Sequence, residues 1–280
     1  MMSEMIDAHI HITPPEIIEN ERDYCQRDDY FSLLCSNPKN EFITADELAD
    51  KMGELGLKKA VIFGFAFKDN ELCRRVNDYT IESVREYPDD FIGFCVVNPA
   101  SEGAVEELNR CKNAGLRVIG ELFPAGQNFD ITSSEDMAEI CNFAAEEDWP
   151  ILVHVNEPVG HDYAGKTEIG IEEGVELAGN FPRNEFIFAH WGGGLPFYEL
   201  MPEIGDTLAN VYYDTAASPF LYDDQIFEVM RALGIIDRVL LGSDYPLISP
   251  QVYEERIKAT DLEREDIEKI LWKNAERLLL

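Results

Sequence analysis

The chain predicts a (β/α)8 barrel with a long loop insertion after its first strand. Short apolar, β-rich runs alternate with helically periodic stretches along all 280 residues. Strand interiors such as Val61-Ile62-Phe63 and Ile151-Leu152-Val153 are continuous apolar runs, as strands buried on both faces require. The alternation repeats through eight strand–helix units, the number that makes a parallel barrel. A doubly wound open sheet would use the same alternation and is the competing fold.

Taken in order, the strands are expected at 5–12, 59–66, 91–97, 116–122, 150–155, 185–190, 210–215 and 238–243. The helices are expected at about 44–56, 70–87, 102–114, 133–148, 170–180, 195–206, 222–235 and 261–279. Thr44 with Glu47 reads as a capping box, and Ser101-Glu102-Gly103 as a second helix entry. No linker divides the chain, so residues 1–280 read as one domain. Residues 13–43 break the rhythm with Pro14, Pro15 and the Asn37-Pro38 pair. Connections of that length serve as lids or binding loops when they are not disordered. Tyr24, Tyr30 and Phe31 favour a folded cover over the mouth of the barrel.

Charge excludes several partners. Lys and Arg total 23 against 55 Asp and Glu, a net charge of −32. That field repels nucleic-acid phosphates and anionic lipid, and it attracts divalent cations. The acids are spread over helices (Glu102, Glu106, Glu107; Glu172, Glu173, Glu176), which reads as a solvated surface. No apolar run is long enough to span a bilayer, and the start Met1-Met2-Ser3-Glu4 predicts no signal peptide. The six cysteines show no Cys-x-x-Cys pair and are expected as reduced thiols of a cytoplasmic protein.

Of five histidines, four fall at or near strand ends. Alternation along Ile6-Asp7-Ala8-His9-Ile10-His11-Ile12 puts Asp7, His9 and His11 on one face and the apolar residues on the other. In a barrel the imidazoles would point inward near the C-terminal mouth; a solvated edge strand would show the same alternation. His154 ends the fifth strand, His190 the sixth and Asp244 the eighth. Catalytic groups of such barrels sit at those ends, and the gathering points to a bound metal. His161, in a polar loop, reads as a surface residue.

His9-x-His11, His154, His190 and Asp244, in this order and spacing, resemble the amidohydrolase superfamily. The segments Ala-His-Trp-Gly-Gly-Gly and Gly-Ser-Asp-Tyr-Pro resemble its decarboxylase-related branch. The resemblance implies His9, His11, His154 and Asp244 as ligands of one divalent metal. Zn²⁺ suits the imidazole and carboxylate donors, with Mn²⁺, Fe²⁺ or Co²⁺ as alternatives. It further implies Asp244 as general base and His190 as the group that orients water or stabilises an oxyanion. Asp7 could hold an imidazole from behind, or make a plain strand-end hydrogen bond. Glu121 ends the fourth strand, where two-metal members place a bridging carboxylate and the decarboxylase-related branch generally has none. It stands as a tentative further ligand, a substrate contact or a structural residue, so one metal or two is left open. Asn98, Asn156, Asp214, Trp191, Tyr245, Phe65 and Phe67 are candidates for the mouth, Asn98, Asn156, Trp191 and Tyr245 among them as substrate contacts. The triple glycine 192–194 reads either as backbone opened to a ligand or as a simple turn.

The leading expectation is hydrolysis of a small amide, lactone or ester by metal-activated water. The alternatives are non-oxidative decarboxylation of an aromatic or unsaturated acid, and a non-catalytic metal scaffold. The partner is expected to be a small molecule, with neither nucleic acid nor membrane, in a possible homodimer.

Overall fold

The computed structural model describes residues 4–37, 40–163 and 165–280. Met1, Met2 and Ser3 of the N-terminal start, Pro38 and Lys39 of the insertion, and Ala164 lie outside the described residues. Eight parallel strands follow in sequence: β1 (Met5–His11), β2 (Leu57–Phe63), β3 (Phe91–Gly93), β4 (Ile119–Leu122), β5 (Ile151–Val153), β6 (Phe186–Phe188), β7 (Val211–Asp214) and β8 (Val239–Leu240). They pair as two sheets, β1-β2-β3 and β4-β5-β6-β7-β8. At the two seams the ladder thins to single bridges, Cys95 with Ile119 and Ile10 with Tyr245. Backbone bonds from Ala8 N–H to Leu241 C=O (2.7 Å) and Cys95 N–H to Val118 C=O (3.0 Å) cross them. The fold is the (β/α)8 barrel the alternation predicts, with two interrupted seams.

Strand parity sorts the core into two layers. Val61, Phe63, Phe94, Leu152, Ile187 and Leu240 fill the interior, while Ala60, Ile62, Ile151, Val153, Phe186 and Val239 meet the helices. Two strands depart from strict alternation: β4 carries one residue more than β5 between Ile119 and Leu122, and β1 departs likewise. Between Asp7 and Ile10, β1 carries one residue more than β2, since Asp7 faces Ala60 and Ile10 faces Ile62. This bulge corrects the expected face assignment. Ile6 and Ala8 join the interior cluster, Met5, Ile10 and Ile12 pack toward the helices, and His9 and His11 still meet at the mouth.

Helix entries follow the sequence in part. Thr44 forms the predicted capping box with Glu47 at the head of Ala45–Leu55. The next expected entry shifts, because Ala104–Ala114 starts after Gly103 without a side-chain cap. Two elements differ more. The expected helix 195–206 is instead a left-handed turn at 190–194 and a short helix, Pro202–Thr207. A helix at Pro250–Lys258, unforeseen, precedes the expected C-terminal one. The insertion folds as three short helices, Pro15–Glu19, Glu21–Cys25 and Asp29–Ser36. Phe31 packs into the rings of Phe65 and Phe67 (centroids 5.3 and 5.1 Å), which anchors the third of these helices. No described helix is long and apolar enough to cross a membrane.

Candidate metal centre

Four donor atoms converge where β1, β4 and the end of β8 meet. His9 Nε2 and His11 Nε2 are 3.2 Å apart. Asp244 Oδ1 lies 3.7 and 3.3 Å from them, and Glu121 Oε2 lies 3.7 and 3.6 Å from the same two nitrogens. Ligands held about 2.1 Å from a tetrahedral cation are about 3.4 Å from one another. The spacing therefore fits a shared divalent ion.

The other oxygen of Glu121 faces a second triad. His154 Nδ1 is 3.0 Å from Glu121 Oε1, and His190 Nε2 is 3.1 Å from His154 Nδ1 and 3.8 Å from that oxygen. One carboxylate thus spans two groups of ligand-type atoms, His9/His11/Asp244 and His154/His190.

The remote ring nitrogens show which way the lone pairs point. His9 Nδ1 meets Asp214 Oδ2 at 2.8 Å, His154 Nε2 meets Asn156 Oδ1 at 3.2 Å, and His190 Nδ1 meets the Ala216 carbonyl at 3.2 Å. Each of these oxygens accepts, so each remote nitrogen carries the hydrogen and the inward nitrogen keeps its lone pair. The Asn156 amide is oriented by the Thr167 N–H, which donates to the same oxygen at 2.8 Å, while its Nδ2 donates to Tyr163 Oη at 2.9 Å. Two imidazole lone pairs 3.1 Å apart repel unless a cation or proton lies between them. The residues present fit a divalent metal.

Electrostatics follow the same geometry. Burial opposes charge on His9, but Glu121, Asp214 and Asp244 outweigh it and raise its pKa to about 10. Burial pushes the Glu121 carboxyl up, yet His9 and His154 bring it down to about 2. Asp244 is held well below the usual carboxylate range, its burial overcome by His11 and His9. Burial and the neighbouring His154 lower His190. The centre keeps its carboxylates charged and attracts positive charge.

The sequence-predicted residues divide into three groups. His9, His11, His154, His190, Asp244 and Glu121 are brought together. His154, expected beside His9 and His11, stands instead with His190 against the far oxygen of Glu121. Asp7 does not hold an imidazole: it accepts the N–H groups of His9 (3.1 Å) and Ser243 (3.0 Å), and its pKa rises to about 7 through burial. Asp214 holds His9 instead, and its second oxygen accepts the N–H groups of His190 and Ala216.

The remaining candidates lie apart from the donors. Asn98 spends its amide on the Lys68 and Gln127 carbonyls (both 2.9 Å), tying loops together. Trp191 is fully buried, with Nε1 donating to Ser218 Oγ, and Tyr245 packs half-buried against the layer between strands and helices. Neither is brought to the donor set. Phe123, which the sequence reading missed, sets its ring edge-on to His154 at 4.9 Å, and Tyr30 of the insertion packs on it at 4.9 Å. Its place directly after β4 is the signal that could have found it. His190 and Asp244 both adopt positive φ (56° and 59°), a conformation rare for non-glycine residues and common at functional sites.

Inward imidazoles and carboxylates at the C-terminal strand ends define a metal-dependent barrel enzyme. Residues 6–280 match the family model described as Amidohydrolase, and the chain belongs to that family. A γ-resorcylate decarboxylase of a Polaromonas species is 26% identical over 251 residues, covering 75% of this chain and 76% of the relative. A putative amidohydrolase from Staphylococcus aureus superposes with TM-score 0.73 at 22% identity, covering 99% of both chains. A Polaromonas dihydroxybenzoic acid decarboxylase, solved with manganese and 2-nitroresorcinol, gives TM-score 0.75 at 20% identity over 99% of this chain and 97% of that one. At these identities the solved structures speak for the fold. Decarboxylation, the second expectation from the sequence, is the activity named for the Polaromonas relative.

Proposed function

We propose that the chain catalyses metal-dependent, non-oxidative decarboxylation of a small aromatic or unsaturated acid. The observation that carries this reading is the ring wall beside the donors, Phe123 against His154 with Tyr30 and Phe65 packed on Phe123. Flat apolar walls next to a cation centre suit a planar acid better than a peptide-like amide, and the relative named a γ-resorcylate decarboxylase supports the same choice.

His9, His11, Asp244 and Glu121 would hold a divalent cation, with His154 and His190 on the far side of Glu121. When bound, the cation supplies a Lewis acid that anchors and polarises the substrate's oxygens. That role stands in for a cationic side chain beside the departing carboxylate. Zn²⁺ and Mn²⁺ both suit nitrogen and oxygen donors without thiolate. Tyr30, Phe65 and Phe123 would hold the ring and exclude water, with the insertion 13–43 as a lid. As the carbon–carboxyl bond breaks, its electron pair stays on the ring carbon. Asp244, an ionised carboxylate at rest, would take a proton from solvent and pass it to that position as carbon dioxide leaves. His190 Nε2, its lone pair turned inward, would orient a water or a substrate hydroxyl by accepting its hydrogen.

Hydrolysis stays as a second reading for one reason. Glu121 offers one oxygen to each triad, the arrangement of a carboxylate shared by two cations that activate water. A panel of hydroxybenzoates given to the metal-loaded enzyme tests the proposal, with headspace carbon dioxide and the decarboxylated ring both measured. Release of both, lost in Asp244→Asn with metal retained, is expected. Turnover of lactones or esters with no carbon dioxide from any acid would sink decarboxylation and establish hydrolysis.

A further inference from the structure

A second group of metal-type donors lies in the insertion, away from the centre described above. Cys25 ends the helix Glu21–Cys25 and Cys35 lies in the last turn of Asp29–Ser36. Their sulfurs and a carboxylate oxygen of Glu21 all lie within 4.8 Å of one another. Both thiols are free and half-buried, against the interior cluster that contains Phe31 and Phe67. The other cysteines (Cys73, Cys95, Cys111, Cys141) are buried.

We infer that Cys25, Cys35 and Glu21 form a separate binding site for a thiophilic divalent cation such as Zn²⁺ or Cd²⁺. The chemistry follows from the donors. Two sulfurs about 2.3 Å from zinc are roughly 3.8 Å apart at a tetrahedral angle, within the spread found here. Glu21 supplies a third donor, which a disulfide would not use, and water can take the fourth place at a half-exposed seam. Burial and then the adjoining Cys25 push the Cys35 thiol up, so without metal Cys35 rests as a neutral thiol. Binding releases a proton from each thiol to solvent as the thiolates form, with no change of oxidation state. The net charge of −32 draws such cations toward the surface. Once filled, the site would clamp two helices of the insertion, one of which carries Tyr30 onto Phe123. The inference stands whether or not the reaction proposed above is right, because its readouts involve no turnover.

The test uses the full chain, reduced and stripped of metal, titrated with Cd²⁺. The strand-end centre has no cysteine, so thiolate-to-cadmium absorption in the ultraviolet reports on sulfur sites alone. The band should saturate at one sulfur-bound cadmium per chain beyond what the strand-end centre takes up; Cys25→Ser and Cys35→Ser should each abolish it, and Glu21→Gln should weaken binding about 10-fold. A measurement free of variants supports it: Zn²⁺ should slow alkylation of Cys25 and Cys35 in the wild type, read by peptide mass. No band in the folded wild type, a band that survives the double Cys25→Ser/Cys35→Ser change, or alkylation indifferent to Zn²⁺ would each overturn the site.

Discussion

Asp214 shows how much one buried carboxylate can organise. It is fully buried at the end of β7, holds His9 Nδ1 at 2.8 Å and receives the His190 N–H at 2.8 Å. It thereby sets the lone pair of one imidazole and the backbone of another. Groups that orient a ligand from behind commonly contribute 10–100-fold to metal affinity. Asp214→Ala is therefore expected to weaken binding by about that factor, measured by competition with a chromophoric chelator; unchanged affinity would remove the role. Trp191 supplies the contrast. Trp191→Phe should lower stability by about 1 kcal/mol through the lost bond to Ser218, while KM stays unchanged. A raised KM at unaltered stability would instead return it to the mouth. The six donors were legible in the sequence because each lies at or near the end of a strand, a local property. Asp214 and His9 are 205 residues apart, and nothing local distinguishes Asp214 from Asp7 as the partner.

At the scale of elements, the turn after β6 is the sharpest departure from the periodic pattern. Residues 190–194 all take positive φ, and a side chain at Gly193 would put its Cβ 2.2 Å from the Asn156 carbonyl oxygen. That carbonyl is backbone and cannot swing aside, so the close approach of this turn to the loop after β5 requires glycine. Gly193→Ala should cost roughly 2–4 kcal/mol and lower Tm measurably by calorimetry, with metal affinity falling as Asn156 and His154 shift. An unchanged Tm would show that the turn tolerates another path.

Helix Asn70–Glu86 has a different anchor. Asn77 bonds both backbone groups of Val96 (2.8 and 2.9 Å) and the Glu107 carboxylate (2.9 Å), which Arg110 also clasps. Burial raises the Glu107 pKa, but Arg110 and Asn77 outweigh it, and the net shift is downward. Its stabilisation is thus complete above the ordinary value of 4.5 and fades as pH falls through the lower folded value. Glu107→Gln should flatten that acid limb in urea melts between about pH 5 and pH 2; an identical limb would assign the loss to other carboxylates. Strand existence was readable from apolar runs, whereas the β1 bulge was not, because alternation counts residues and a bulge adds one. The helix Pro250–Lys258 carries a start signal in Ser249-Pro250, which the sequence reading passed over.

Across the whole molecule, two kinds of repulsion act, and they can be separated. The net charge of −32 destabilises the compact state by long-range repulsion, which salt screens as the Debye length falls from about 30 Å at 0.01 M to about 8 Å at 0.15 M. Tm should therefore rise with sodium chloride even in chelator. The donor set adds a local repulsion, since the Glu121 and Asp244 carboxylates share one set of imidazoles and the inward nitrogens of His154 and His190 face each other at 3.1 Å until protons or a cation join them. Salt screens this poorly because the groups are buried; a bound cation relieves it directly. At a metal concentration of about 100 Kd, binding stabilises the fold by about 2.7 kcal/mol. For a chain of this size that is roughly 5–10 °C in Tm. The expected calorimetric result is a further rise on adding Mn²⁺ or Zn²⁺ at high constant salt, reversed by chelation and absent in Asp244→Asn/Glu121→Gln. If saturating salt alone brings wild type and that variant to the same Tm with metal or without, the strand ends hold no cation and the metal-dependent reading of the site fails.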